Sequence, residues 1–404
     1  MIHSGMARDI LVVLAWILAL VWLRRSIEAL RGIAGMVDLT ELQDEELPPL
    51  PDSMRLHLTV VVPARDEGVV IESTLRSLLA QTKICLQIVA VDDRSTDGTA
   101  EKMDALIAEA ARTPHLYEVL HIHELPQGWL GKPHALAQGV DKALADFLLF
   151  TDGDVLFEPD ALHLALRTAI REQADHFILA PTLISASIGE AAIQANIQAL
   201  GHFLARMWKI GDPEARDAFG VGGFTLVRKE ALAAAGGMER LRMEVVEDVA
   251  LGWLIKRELH RRSLMVLGPG LVRLHWIRGF FGIVRLLEKN AFAGMRYSVP
   301  IALAACLSLL VHAILPLAAL ANGTWGIAAA IVTYLGIAIS MRANRKLNGL
   351  SSLLSVLFAP CVFVVVWAFW RSMVLTLIRG GVAWRGTLYP IAELRKHRVP
   401  FTMP

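Results

Sequence analysis

Between Arg296 and Arg342 the chain carries no Asp, Glu, Lys or Arg. That run is 45 residues long. One bilayer crossing takes about 20 apolar residues, so the run holds two helices able to span a membrane. Asn322-Gly323-Thr324 sits at its centre and predicts the turn between them. The tripeptide also matches a glycosylation acceptor pattern, but a tight turn is the simpler account. A further run, Leu347–Trp370, has 24 uncharged residues and is also long enough to cross. A globular interior seldom needs charge-free runs of this length. The hydrophobic fraction of 54% is therefore unevenly spread over the 404 residues.

The N-terminus leaves two readings open. Ile10–Leu23 is uncharged over only 14 residues. No small-x-small site follows to mark a cleaved signal peptide. Arg24 and Arg25 follow instead and suit a short anchor with snorkelling flanks. Arg24, Arg25 and Arg31 outweigh Arg8, so the positive-inside rule puts the chain after residue 24 in the cytoplasm. Arg342, Arg345 and Lys346, two crossings later, agree. The tail (Arg371, Arg379, Arg385, Arg395, Lys396, Arg398) does not, because three crossings after residue 296 would place it outside. Either the third run is re-entrant or interfacial, or the rule fails here.

Residues 57–275 predict an α/β unit. Strands are expected at His57–Val62, Gln87–Val91, His115–Ile122 and Phe147–Thr151, with helices over Val69–Ala80, Thr96–Ala111 and Pro133–Leu144. This alternation predicts a mostly parallel sheet with helices on both faces. Ligands of such sheets bind at the carboxyl ends of strands. Three expected strand ends carry clusters: Pro63-Ala64-Arg65-Asp66-Glu67, Asp92-Asp93 and Asp152-Gly153-Asp154. They should gather at one edge. Residues 32–56, acidic and bearing Pro48, Pro49 and Pro51, read as linker.

Each cluster has a chemical and a plain reading. Two carboxylates one residue apart at a strand end, Asp152 and Asp154, suit Mg²⁺ or Mn²⁺ bridging a diphosphate; alone they are equally a surface turn. Asp92 and Asp93 can accept hydrogen bonds from a base or ribose, while Ser95 and Asp97 can cap the next helix. Lys132, in Gly128-Trp129-Leu130-Gly131-Lys132, opens a helix where an anion is favoured. Glu247 and Asp248 start a helical stretch, where acid is favoured by the dipole and where a carboxylate can deprotonate a hydroxyl. Gly222 and Gly223 can shape a wall beside a ring. His121-x-His123 lacks a third metal ligand, and the distant cysteines (Cys85, Cys306, Cys361) argue against a disulfide framework or zinc site. A net charge of +1, without a Lys/Arg block, excludes a nucleic-acid arm.

In order, VVVPARDE (60–67), VDDRSTDGT (91–99), GWLGKPHAL (128–136), TDGD (151–154), GVGGF (220–224) and VVEDVALG (245–252) resemble family 2 glycosyltransferases with the GT-A fold. The match covers about half the chain. Membrane-bound members that glycosylate lipids, such as ceramide glucosyltransferases and hopanoid- or carotenoid-linked enzymes, are most similar. The resemblance implies an inverting transfer from a nucleotide sugar, a UDP-sugar in the first instance, to a membrane lipid. It implies donor contacts from Pro63, Ala64, Arg65, Glu67, Asp92, Asp93, Lys132, Asp152, Gly222 and Gly223. It places Mg²⁺ or Mn²⁺ on Asp152 and Asp154, and the catalytic base at Asp248 beside Glu247. The expected organisation is anchor 1–24, linker 25–56, GT-A domain 57–275, amphipathic interfacial segment 276–298, membrane region 299–379 and basic tail 380–404, in a bacterial inner membrane with the domain in the cytoplasm.

One departure bears on the product. Processive polysaccharide synthases of this family carry Gln-x-x-Arg-Trp, which is absent here. The nearest sequences are His275-Trp276-Ile277-Arg278 and Trp384-Arg385-Gly386. Single transfer is thus favoured over a processive synthase, and the long charge-free runs argue against a transporter or scaffold that only binds.

Overall fold

Strand residues alternate between two buried faces, and this alternation sets the architecture of the soluble unit. The computed structural model describes residues 2–50 and 56–401, so Pro51 lies outside the described residues. Strands β1 (Leu58–Ala64), β2 (Leu86–Asp93), β3 (Leu116–Ile122) and β4 (Phe147–Phe150) run parallel, with β1 between β2 and β4. Val60, Val62, Ile88 and Ala90 face one apolar core, while Val61, Val89 and Val91 face the other. Burial on both faces is why these strands are near-continuous β-branched runs. The first core is closed by α2 (Ile71–Leu79), α3 (Thr99–Ala105) and α5 (Ala161–Arg171), the second by α4 (Gly131–Asp141) and α7 (Glu247–Trp253).

The full seven-stranded order is β3-β2-β1-β4-β8-β6-β9, with β6 (His176–Ala180), β8 (Thr225–Arg228) and β9 (Ser263–Leu267). The expectation of a mostly parallel sheet holds, with one reversal: β8 is antiparallel to both β4 and β6. Thr225 lies opposite Phe150, so the start of β8 reaches the edge where β4 ends. That reversal delivers Gly222 and Gly223 to the site. A second difference is Pro63, expected to stop β1. The strand continues to Ala64, because its pairing with β4 already ends at Val61 and a missing N–H costs nothing beyond that point. A small sheet, β5 (Val155–Phe157), β7 (Thr182–Leu183) and β10 (Val272–Leu274), flanks the main one.

The N-terminal helix α1 spans Ile2–Ala34, 33 residues, and runs into the stretch read as linker. Among the described residues four helical segments are long and apolar enough to cross a membrane: Gly5–Ala34, Val299–Ala319 (α9), Gly323–Ala343 (α10) and Ser352–Arg379. The last comprises a short 3₁₀ turn followed by α11 (Phe358–Arg379). Asn322 sits at the α9–α10 turn, where its Nδ2 donates to the Ala318 carbonyl at 2.8 Å. Trp16 of α1 and Trp325 of α10 meet edge to face at 6.4 Å. Ala15, Ala319 and Ala329 pack together there, small residues of the kind that let membrane helices approach closely. The opposite ends of α1 and α10 meet the α/β unit: Lys346 bridges to Asp38 at 2.5 Å, and Asn348 accepts from the Leu183 N–H at 2.8 Å.

The segment Ser352–Arg379 differs, since both its ends touch the α/β unit or the helix beneath it. Asn196 on α6 (Ile188–Leu204) donates to the Leu354 carbonyl at 3.1 Å. At the other end Glu288 on α8 (Gly282–Gly294) pairs with Arg371 at 3.1 Å and Arg379 at 2.9 Å. The chain then forms a hairpin, β11 (Gly381–Trp384) and β12 (Thr387–Pro390), and the tail packs Val399 and Phe401 into the second core of the α/β unit.

Candidate active site

The parallel register brings Ala64, Asp93 and Phe150 to one edge, and the loops that follow are tied together. Backbone N–H groups of Asp66, Glu67 and Gly68 donate to Ser95 Oγ, Thr99 Oγ1 and Asp97 Oδ2 at 3.1, 2.9 and 2.9 Å. Asp66 and Arg94 hold φ of 53° and 60°, a left-handed conformation that non-glycine residues adopt mostly at turns and functional loops.

These loops enclose a pocket of about 240 Å³. Pro63, Ala64, Arg65, Glu67, Asp93, Lys132, Asp152 and Asp154 of the sequence-derived set line it. Asp92 does not; its carboxylate turns to the Ser95 N–H at 3.1 Å and to His121 at 3.3 Å. His121 also meets Asp104 at 3.2 Å and is accounted for as an ion-pair partner. Asp93 is held by Arg94 at 2.7 Å. Glu247 and Asp248 line an adjoining recess with Gly222, and Lys132 is common to both spaces. Gly223 lies behind it and accepts a hydrogen bond from Thr151 Oγ1 at 2.9 Å.

Lys132 is the pivot. Its Nζ lies 2.7 Å from Asp152 Oδ1 and 2.7 Å from Glu247 Oε1. Burial works against its charge, but Asp152, Glu247 and Asp248 around it hold its pKa well above the ordinary lysine value. Burial pushes Asp152 up; its contact with Lys132, aided by the charges of Lys289 and Arg385, outweighs that and holds it below the usual carboxylate range. Asp248 goes the other way: burial, then the adjacent Glu247 charge, raise it to about 6 against the pull of Lys132. Gly222 keeps the space open where these groups meet. A Cβ there would sit 3.0 Å from Asp152 Oδ2, 3.3 Å from Lys132 Nζ and 3.4 Å from Asp248 Oδ2.

Among the described residues no group of three or more His, Cys, Asp or Glu is gathered as a metal cage. A two-carboxylate site still fits the chemistry, because Mg²⁺ is commonly held by one or two carboxylates plus water and substrate phosphate. Asp154 has the matching electrostatics: burial, then the charges of Asp152 and Glu67, raise it to about 6. Such an excess of negative charge favours a cation.

Lys289 on α8, and Trp384, Arg385 and Tyr389 on the C-terminal hairpin, also line the pocket without a site role expected from the sequence, where Trp384-Arg385 stood out only as a near match to Gln-x-x-Arg-Trp. Lys289 stands 3.7 Å over the Trp384 ring. Burial lowers it to about 8 against the pull of the Glu247 charge, and repulsion from Lys132 adds to the fall. Arg385 pairs with Glu67 and donates to the Arg65 carbonyl. The available signal was Arg385-Gly386 between two short alternating stretches, a two-residue hairpin turn.

The pocket lies at the carboxyl ends of parallel strands, where α/β units bind their ligands, and comparison with known proteins adds the family. Residues 59–235 match the sequence model described as Glycosyl transferase family 2, so the chain carries a family 2 glycosyltransferase domain. The 4,4'-diaponeurosporenoate glycosyltransferase of Staphylococcus aureus (strain USA300) is 28% identical over 200 residues, covering 48% of this chain and 50% of that protein. The protein of the same name from strain MRSA252 is 29% identical over the same shares. The chain thus spans about half the length of these curated relatives. The mannosyltransferase PcManGT from Pyrobaculum calidifontis, solved with GDP-Man and Mn²⁺, superposes with a TM-score of 0.52 at 18% identity, covering 91% of this chain and 99% of that one. This likeness places the α/β unit in the GT-A fold.

Proposed function

We propose that this protein transfers a sugar from a nucleotide-sugar donor, a UDP-sugar in the first instance, to a hydroxyl of a membrane lipid, with inversion at the anomeric carbon. The observation that carries this reading is Asp248: a half-buried carboxylate, its proton affinity raised to about 6, in a recess that shares Lys132 with a larger polar pocket. A group with that affinity can accept a proton near neutral pH. In the proposed reaction Asp248 takes the acceptor hydroxyl proton as oxygen attacks the anomeric carbon. The bond to the nucleoside diphosphate breaks in the same displacement, and one displacement inverts the configuration. Lys132 holds Asp152 and Glu247 in place and offers positive charge to the departing diphosphate. Pro63, Ala64, Arg65, Glu67 and Asp93 line the donor pocket, and Gly222 leaves room for the sugar. Asp152 and Asp154 would hold Mg²⁺ or Mn²⁺, which when bound neutralises diphosphate charge.

The apolar helices support a lipid acceptor, and the absent Gln-x-x-Arg-Trp supports single transfer over chain elongation. In this reading α1, α9 and α10 cross a bacterial inner membrane, and α11 lies along the cytoplasmic interface. The tail then returns to the catalytic domain, removing the conflict with the positive-inside rule. The test is to incubate membranes holding the protein with a panel of labelled nucleotide sugars and weigh the lipid products. A lipid gaining one sugar, lost on adding EDTA, is expected. Long polymers would point to the processive reading. Transfer undiminished by EDTA would remove the metal, and no transfer from any donor would sink the proposal.

A further inference from the structure

The hairpin Gly381–Pro390 follows the last long helix and lies well outside residues 59–235, yet its tip forms one side of the donor pocket. The tip is a two-residue turn with φ of 49° at Arg385 and 78° at Gly386, the paired positive values of the turns that join twisted strands tightly. An arginine in that conformation is uncommon, and it directs its guanidinium to Glu67 and the Arg65 carbonyl. The base is fixed: Val382 and Tyr389 are buried with Phe292 and Tyr297. Beyond it, Arg395 donates to the Tyr297 carbonyl at 2.6 Å and Arg398 to the Arg296 carbonyl at 2.8 Å. The hairpin is therefore a fixed wall, with Lys289 set against the Trp384 ring at 3.7 Å.

Charge divides this pocket. Asp152 and Asp154 stand on the sheet side, whereas Lys289 and Arg385 stand on the C-terminal side. Among the described residues Lys289 has no carboxylate within ion-pair distance. The Glu67 carboxylate marks a position where an oxyanion meets the Arg385 fork, and a guanidinium carries enough donors to keep a carbonyl while binding a second oxygen. We infer that Arg385, carried by the C-terminal hairpin and backed by the Trp384–Lys289 pair, binds the diphosphate of the donor nucleotide, so that the chain's C-terminal tail is part of the donor site. This rests on the donor reading of the pocket given above.

The test is calorimetric titration of the full chain in detergent with UDP, GDP, ADP and dTDP, each beside its nucleoside. For the diphosphate that the wild type binds most tightly, Arg385→Gln and Arg385→Ala should weaken binding about tenfold or more, the scale of one charge-assisted hydrogen bond. Nucleoside binding should be unchanged, and Arg385→Lys should recover part of the loss. Thermal unfolding of each variant checks that it is folded. Diphosphate affinity equal to wild type in folded Arg385→Gln would overturn the inference and leave the donor reading standing. Equal losses for nucleoside and diphosphate would also overturn it, as the mark of a merely structural role. Wild-type protein that binds none of the four diphosphates would overturn both.

Discussion

Lys132 and Lys289 reach into one pocket from opposite sides, and burial penalises both charges, yet their proton affinities move in opposite directions. Lys132 touches two carboxylates at 2.7 Å and is held well above the ordinary lysine value. Lys289 meets an indole face and touches no carboxylate among the described residues; burial outweighs the more distant pull of Glu247, and it falls to about 8. Desolvation is common to the two; the partners decide the sign. The sheet-side wall is thus neutralised internally, with its lysine committed to Asp152 and Glu247. The C-terminal wall holds Arg385 against Glu67 and, among the described residues, Lys289 with no carboxylate in contact. In the proposed reading, proton transfer and metal affinity belong to the first wall, and the second adds to the binding of the anion.

The sharpest way to break this division is Asp248→Asn. Loss of a general base should lower turnover about 10²–10⁴-fold, with donor affinity retained when titrated directly. A fall in affinity as large as the fall in turnover would erase the distinction between the walls. Next in size is the attachment of the second wall. Glu244, with 4% of its side chain exposed, pairs with Arg296 at 3.2 Å and accepts from the Val399 N–H. Arg296→Met leaves that carboxylate buried and unpaired, which should cost about 3–5 kcal/mol in stability, read from denaturant or thermal unfolding in detergent. An unaltered transition would show that the tail is not secured there.

Lys289→Met probes the free cation itself. It should weaken nucleoside diphosphate binding about tenfold, about 1.4 kcal/mol, and leave nucleoside binding unchanged in the same titration. A gain in affinity would mean that the charge is not used. The smallest effect concerns pH. Activity that needs ionised Asp248 rises as pH passes upward through about 6. Glu247, after burial, is the next cause of that elevation, so Glu247→Gln should move the acid limb of kcat/KM to lower pH by less than about one unit. A shift to higher pH would assign the limb to another group.

Much of the first wall was legible in the sequence because its signals are local. The runs at 58–64, 86–93 and 147–150 are β-branched or aromatic and end in turn-forming acids, and parallel strands put such ends at one edge. Asp152-Gly153-Asp154 and Lys132 could be placed on that basis. Asp92 was grouped with Asp93, but neighbouring strand residues point to opposite faces, and only Asp93 reached the pocket. The N-terminal helix was underestimated because Arg8, Asp9 and Arg24 bound its uncharged stretch, while the helix itself continues past them to both sides.

The sequence by itself determined the buried strands, the apolar helices and the acidic strand ends, since periodicity and turn chemistry act over a few residues. Only the tertiary structure decided that β8 runs backward to bring Gly222 to Lys132, and that Ser352–Arg379 starts against α6 and finishes against α8. It alone joined Arg385 to Glu67 across 318 positions of chain. No local pattern encodes a contact of that separation, because it exists only once the sheet, the helices and the returning tail have packed together.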